Sequence, residues 1–204
     1  IVLAVKPQII DQVLADMQSE VTTSKLFISI AAGVTLKRLE KGLGGEARVI
    51  RVMPNTPALL GKSMTVVVRG KKAKAADEKL ALTLFRGVGD ALAVQDEKLL
   101  DPVTGLSGSG PAYVYLFAEA LIAGGVKKGL SPAVAERLTF QTLEGAVAML
   151  KETKQSPKEL RAMVTSPGGT TLAGLTRLEQ GRFFQTVRAA VEAASRRSSE
   201  LGKG

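Results

Sequence analysis

The sequence predicts an α/β half followed by an all-helical half. Residues 1–100 alternate short β-branched runs with helical patterns, which is the signature of a parallel α/β sheet. From about residue 101 the strand signal disappears, and Ala-, Leu- and Glu-rich helical periodicity takes over. A length of 204 residues with 45% hydrophobic and 23% charged content fits a soluble globular chain of one large or two small domains.

Taken in order, strands are expected at 1–5, 26–30, 49–52, 64–68 and 91–94, with helical patterns between them that are clearest at 9–17 and 75–85. The opening run Ile1-Val2-Leu3-Ala4-Val5 is ended by Lys6-Pro7, so it reads as a strand entered midway through a domain rather than as a signal peptide. In the second half, Ser131-Pro132, Ser156-Pro157 and Gly181 interrupt the helical pattern. The stretch 111–126, broken only by Glu119, is apolar nearly all the way round. It is shorter than the ~20 residues needed to span a bilayer, so no membrane association is expected. It reads as the centre of the helical half or, the favoured reading in so small a domain, as a subunit interface.

Composition removes whole classes of chemistry. There is no cysteine and no histidine, which excludes disulfides, thiolate metal sites and Ser-His or Cys-His nucleophiles. No acidic cluster has metal-ligand or glycosidase spacing, so no metal is expected. The net charge of +9 is shared between the halves, and its densest cluster, Arg69, Lys71, Lys72 and Lys74, reads as a solvated turn after a strand. With 4% aromatic residues and no basic tail, a nucleic-acid-binding module is the weaker alternative.

Ligands of an open parallel sheet sit at the carboxyl ends of its strands. Here those ends read Val5-Lys6-Pro7, Ala31-Ala32-Gly33 and Met53-Pro54-Asn55-Thr56-Pro57. Small residues admit a planar group, Lys6 offers a charge, and Asn55 and Thr56 offer hydrogen bonds between two prolines. Asp96-Glu97 follows the last strand close to the same rim, although a helix-start acid is the slightly favoured reading there. In the helical half, Ser107-Gly108-Ser109-Gly110-Pro111 is either a packed helix start or a binding loop. The segment Thr165-Ser166-Pro167-Gly168-Gly169-Thr170-Thr171 presents backbone N–H groups before a helix and favours a carboxylate or phosphate. A pocket of hydrogen bonders without a strong acid, base or nucleophile suits a reaction whose hard step is carried by a cofactor.

Together these motifs resemble the delta-1-pyrroline-5-carboxylate reductase family: AVKPQ at 4–8, AAGVT at 31–35, RVMPNTP at 51–57, VTGLSGSGPAY at 103–113 and VTSPGGTT at 164–171. The resemblance implies a Rossmann-like nucleotide-binding domain, incomplete at its N-terminus, over 1–100 and an all-α dimerisation domain over 101–204. It implies NADPH or NADH as cofactor, a cyclic imino acid as substrate, a homo-oligomer joined through the helical domain, and a cytoplasmic location. Val5, Lys6, Pro7, Ala32, Gly33 and Asn55 would then hold the dinucleotide. Ser166, Gly168, Gly169 and Thr170 would hold the substrate carboxylate, Thr171 would be the catalytic hydroxyl at the ring nitrogen, and Glu97 would lie near the substrate. Family members begin with a strand and a glycine-rich phosphate turn that precede this chain's first residue, so the choice between NADH and NADPH is not readable here. A related hydroxyacid dehydrogenase is the enzymatic alternative. It would call for a catalytic lysine, and Lys127 and Lys128 sit instead at a helix end.

Overall fold

A computed structural model describes residues 1–202, so positions 203 and 204 of the expected helical half lie outside it. The five expected strands are present as β1 (Val2–Leu3), β2 (Leu26–Ser29), β3 (Arg48–Met53), β4 (Ser63–Arg69) and β5 (Gly89–Val94), paired in that order. The sheet is mixed rather than parallel, because β3 and β4 pair antiparallel while the other pairs are parallel. The cause is the connection after β3. It holds only a short 3-10 turn, Thr56–Leu60, and a parallel return needs a crossover of about a dozen residues or more.

Both sheet faces are covered, which is why the strands read as continuous β-branched runs. On one face Leu3, Phe27, Val49, Val66 and Val68 pack with Ile10 and Leu14 of α1 (Ile10–Met17) and Leu36 and Leu39 of α2 (Leu36–Gly42). On the other, Ile28, Ile50, Val52 and Val67 pack with Ala81 of α3 (Ala75–Arg86). Asp77 ties α3 down by accepting from the Lys74 amide at 2.7 Å and from Arg48 at 2.8 Å.

Past β5 the chain forms α4 (Leu100–Val103), a π-type segment Thr104–Gly108, and then α5 (Gly110–Lys127), α6 (Pro132–Glu152), α7 (Pro157–Met163), α8 (Thr170–Gln180) and α9 (Phe183–Leu201). The two expected Ser-Pro breaks prove to be helix starts, and the third, Gly181, is the C-cap of α8. Ser131 caps α6 and Ser156 caps α7, each followed by proline in the first turn, where its missing N–H costs nothing.

Two compact units result among the described residues: 1–111 with 189–202, and 112–188. They do not coincide with a division after residue 100, because α4, the π-type segment and most of α9 pack within the sheet unit. Gly105 shows the reason, since a Cβ there would fall onto Ser195 Oγ and the Val191 carbonyl of α9. The unit 112–188 buries little of its own apolar surface. In α5 only Ala118 is buried, while Val114, Tyr115, Leu116 and Leu121 are exposed.

Candidate functional site

Within the sheet unit, Leu3, Ser29 and Arg51 stand level across β1, β2 and β3. The segments that leave these strands therefore share one edge. After β1, Val5 and Pro7 are half-buried and Lys6 is exposed. After β2 the chain turns at Gly33, which has φ +74° and lies so close to α9 that a Cβ would stand 3.2 Å from Leu201 Cβ. Only glycine meets both conditions without strain. Ala31 is buried and Ala32 is exposed at the tip of this turn.

After β3, Asn55 does something other than wait for a ligand. Its Nδ2 donates to the Ser107 carbonyl at 3.1 Å and to Ser107 Oγ at 3.3 Å, while its Oδ1 accepts from Ser63 Oγ at 3.1 Å and the Met64 amide at 3.0 Å. Two donors and two acceptor positions are the full capacity of a carboxamide. The amide thereby latches β4 and the π-type segment to the end of β3. The same latch packs the Ser107–Pro111 loop against the end of β3, reinforced by Gly108, where a Cβ would come 2.6 Å from Met53 Cε. The Ser109 amide closes the π turn onto the Thr104 carbonyl at 2.8 Å.

Glu97 reaches the same edge by an unexpected path. β5 runs opposite to β1–β3, but it stops at Val94, level through Val68 and Arg51 with the ends of β1 and β2. The 3-10 turn Glu97–Leu99 then carries the carboxylate to Leu36 N–H at 2.7 Å and Arg51 Nη1 at 2.6 Å. Thr35, Arg51, Glu97, Lys98, Asp101 and Ser199 line a cavity of about 190 Å³ there.

In the helical unit, Thr165–Thr171 forms a turn closed by the Gly169 amide on the Ser166 carbonyl at 3.0 Å. Gly168 adopts φ +69° with open space where a Cβ would stand. Gly169 is the N-cap of α8 and supplies no side chain to cap it, which leaves first-turn amides facing outward. Ser166, Gly168, Thr170 and Thr171 are exposed, and Gly169 is half-buried. No group of three or more acidic residues able to hold a metal ion occurs among the described residues.

A family model for pyrroline-5-carboxylate reductase dimerisation matches residues 97–201. The pyrroline-5-carboxylate reductase of Synechocystis sp. is 47% identical over the whole chain, which spans 75% of that relative. The enzyme of Arabidopsis thaliana is 44% identical, again over the whole chain and 73% of its own length. The chain belongs to the pyrroline-5-carboxylate reductase family. A crystal structure of the Plasmodium falciparum pyrroline carboxylate reductase with NADP bound superposes at a TM-score of 0.93 and 41% identity, covering 98% of this chain and 76% of that one.

For this member of the reductase family, sequence reasoning missed Arg51 as a buried charge, Ser107 as the partner of Asn55, and the contact of Leu201 with Gly33. Arg51 did carry a signal. An arginine between β-branched Ile50 and Val52 inside a strand must find a partner, because a buried guanidinium is tolerated only when paired.

Proposed function

We infer that this chain reduces the C=N bond of 1-pyrroline-5-carboxylate to L-proline with NADPH or NADH, as a homo-oligomer joined through its helical half. The observation that carries this reading is the 47% identity to a named reductase along the full chain. It leaves the hydroxyacid dehydrogenase and nucleic-acid alternatives without support. When bound, the dinucleotide supplies a hydride for the imine carbon.

The chain's own residues bind and orient. At the strand-end edge, exposed Ala32 on the Gly33 turn, with Val5, Lys6 and Pro7 beyond β1, presents low relief and one cation, which suits a flat ring on an anionic cofactor. Asn55 contributes to that edge through its backbone and as a latch. In the helical unit, the outward amides at the start of α8 suit a carboxylate, since the N-terminal end of a helix dipole is positive. Ser166, Gly168, Gly169 and Thr170 take that role. Holding the carboxylate fixes the imine carbon, and positioning of this kind supplies much of the acceleration in reactions without strong acid-base groups.

As the double bond becomes single, the ring nitrogen gains a proton. Thr171 orients that nitrogen through its hydroxyl and relays a proton from water, acting first as an orienter because a hydroxyl is a weak acid. Among the described residues no helix is long and apolar enough to cross a membrane. We place the reductase in the cytoplasm, because its proposed substrate and cofactor are water-soluble anions, a location that cell fractionation tests.

The deciding experiment follows NADH and NADPH oxidation by the full-length protein with pyrroline-5-carboxylate. Thr171→Val, which keeps shape and removes the hydroxyl, is expected to lower kcat roughly ten- to a hundredfold. Full activity in that variant would leave Thr171 a helix-start residue only.

A further inference from the structure

Glu97 ties together three parts of the sheet unit that are distant in sequence. Its Oε1 accepts from the Leu36 amide, at the first residue of α2, and from Arg51 in β3. Arg51 is 6% exposed and lies on the face shared with Val49 and Met53. The turn before Leu36 is the one assigned above to the dinucleotide. It is fixed at its start by the Ala31 amide donating to Ser29 Oγ at 3.3 Å, and it is backed by Leu201 against Gly33. Thr35 caps the Arg38 amide at 3.2 Å but leaves that of Leu36 to another acceptor. That acceptor is Glu97, so the far end of the turn is anchored by a side chain 61 residues away.

We propose that Glu97 is a positioning residue for the dinucleotide, holding the 31–33 turn in place through the Leu36 amide and touching neither cofactor nor substrate. This replaces the substrate contact expected for Glu97 from the family resemblance. It rests on the reading that the turn meets the dinucleotide. The Leu36 amide is a neutral donor, so what it requires is an acceptor at the right reach, not a charge. Glutamine offers the same oxygen at the same reach to Leu36 and Arg51; it removes the charge paired with Arg51, a cost that falls on overall stability rather than on the position of the turn. Aspartate keeps a charge for Arg51 but is shorter by one carbon–carbon bond of about 1.5 Å, too short to serve both donors.

The test measures NADPH dissociation constants by fluorescence and hydrogen exchange at the Leu36 amide in the full-length protein. Glu97→Gln is expected to bind within about threefold of the parent, and Glu97→Asp about tenfold more weakly with faster exchange at Leu36. The KM for the imino acid at saturating NADPH stays unchanged in both. A folded Glu97→Asp protein with parental NADPH affinity overturns the proposal. So does a raised imino-acid KM with unaltered NADPH affinity, which would return Glu97 to the substrate. Ala32→Leu, at the exposed tip of the turn, separates the two readings. If it leaves NADPH affinity unchanged, the turn is not part of the cofactor site and the proposal falls with it. If it weakens NADPH while Glu97→Asp does not, only the role of Glu97 is lost.

Discussion

Replacing Gly169 with valine tests the grip on the substrate carboxylate. Gly169 has φ −78° and ψ 167°, extended backbone that a branched residue adopts freely, so the substitution adds no backbone strain. The obstruction is local. A Cβ at this position falls onto Ser166 Oγ and stands 3.1 Å from the Ser166 carbonyl, the acceptor that closes the turn. Relieving that contact opens the turn and swings the first amides of α8 away from a bound anion. A hydrogen bond to a charged group contributes about 1.5–3 kcal/mol, so losing one should raise the KM for pyrroline-5-carboxylate roughly ten- to a hundredfold. The turn lies outside both hydrophobic clusters of the sheet unit and is mostly exposed, so unfolding should remain cooperative, with a stability change within about 1 kcal/mol. The assay is the initial rate of NADPH oxidation against imino-acid concentration, paired with a thermal melt. An unchanged KM in a cooperatively folding Gly169→Val protein would refute the carboxylate assignment.

Two further substitutions test the architecture. Asn55→Leu strips the partners from Ser107, Ser63 and the Met64 amide, so it should destabilise the protein by about 2–4 kcal/mol, read as a lower urea midpoint at constant slope. A variant as stable as the parent would show that the latch carries no energy. Leu121→Arg places a charge on the exposed apolar surface of α5 and should yield monomer or aggregate by light scattering, because an unpaired charge in an apolar interface is costly. Retention of the parent oligomer would remove α5 from the interface.

Much of this protein was legible in its sequence because the relevant signals are local. Strand positions follow from β-branched runs, the starts of α6 and α7 from Ser-Pro pairs, and the turn before α8 from Gly168-Gly169, each a matter of allowed dihedrals and caps within a few residues. The apolar girth of α5 marked a surface in need of a partner, and the family motifs pointed to a reductase. Strand direction was not legible, since whether β4 returns antiparallel depends on how its connection packs, and the length of the 3-10 turn was invisible to periodicity. Nor could sequence say that Asn55 gives both its donors to Ser107, that Glu97 serves Leu36 and Arg51, or that Leu201 presses on Gly33. Each of these joins positions tens to more than a hundred residues apart. A side chain's identity states how many hydrogen bonds it can make, and only the folded chain decides which groups take them.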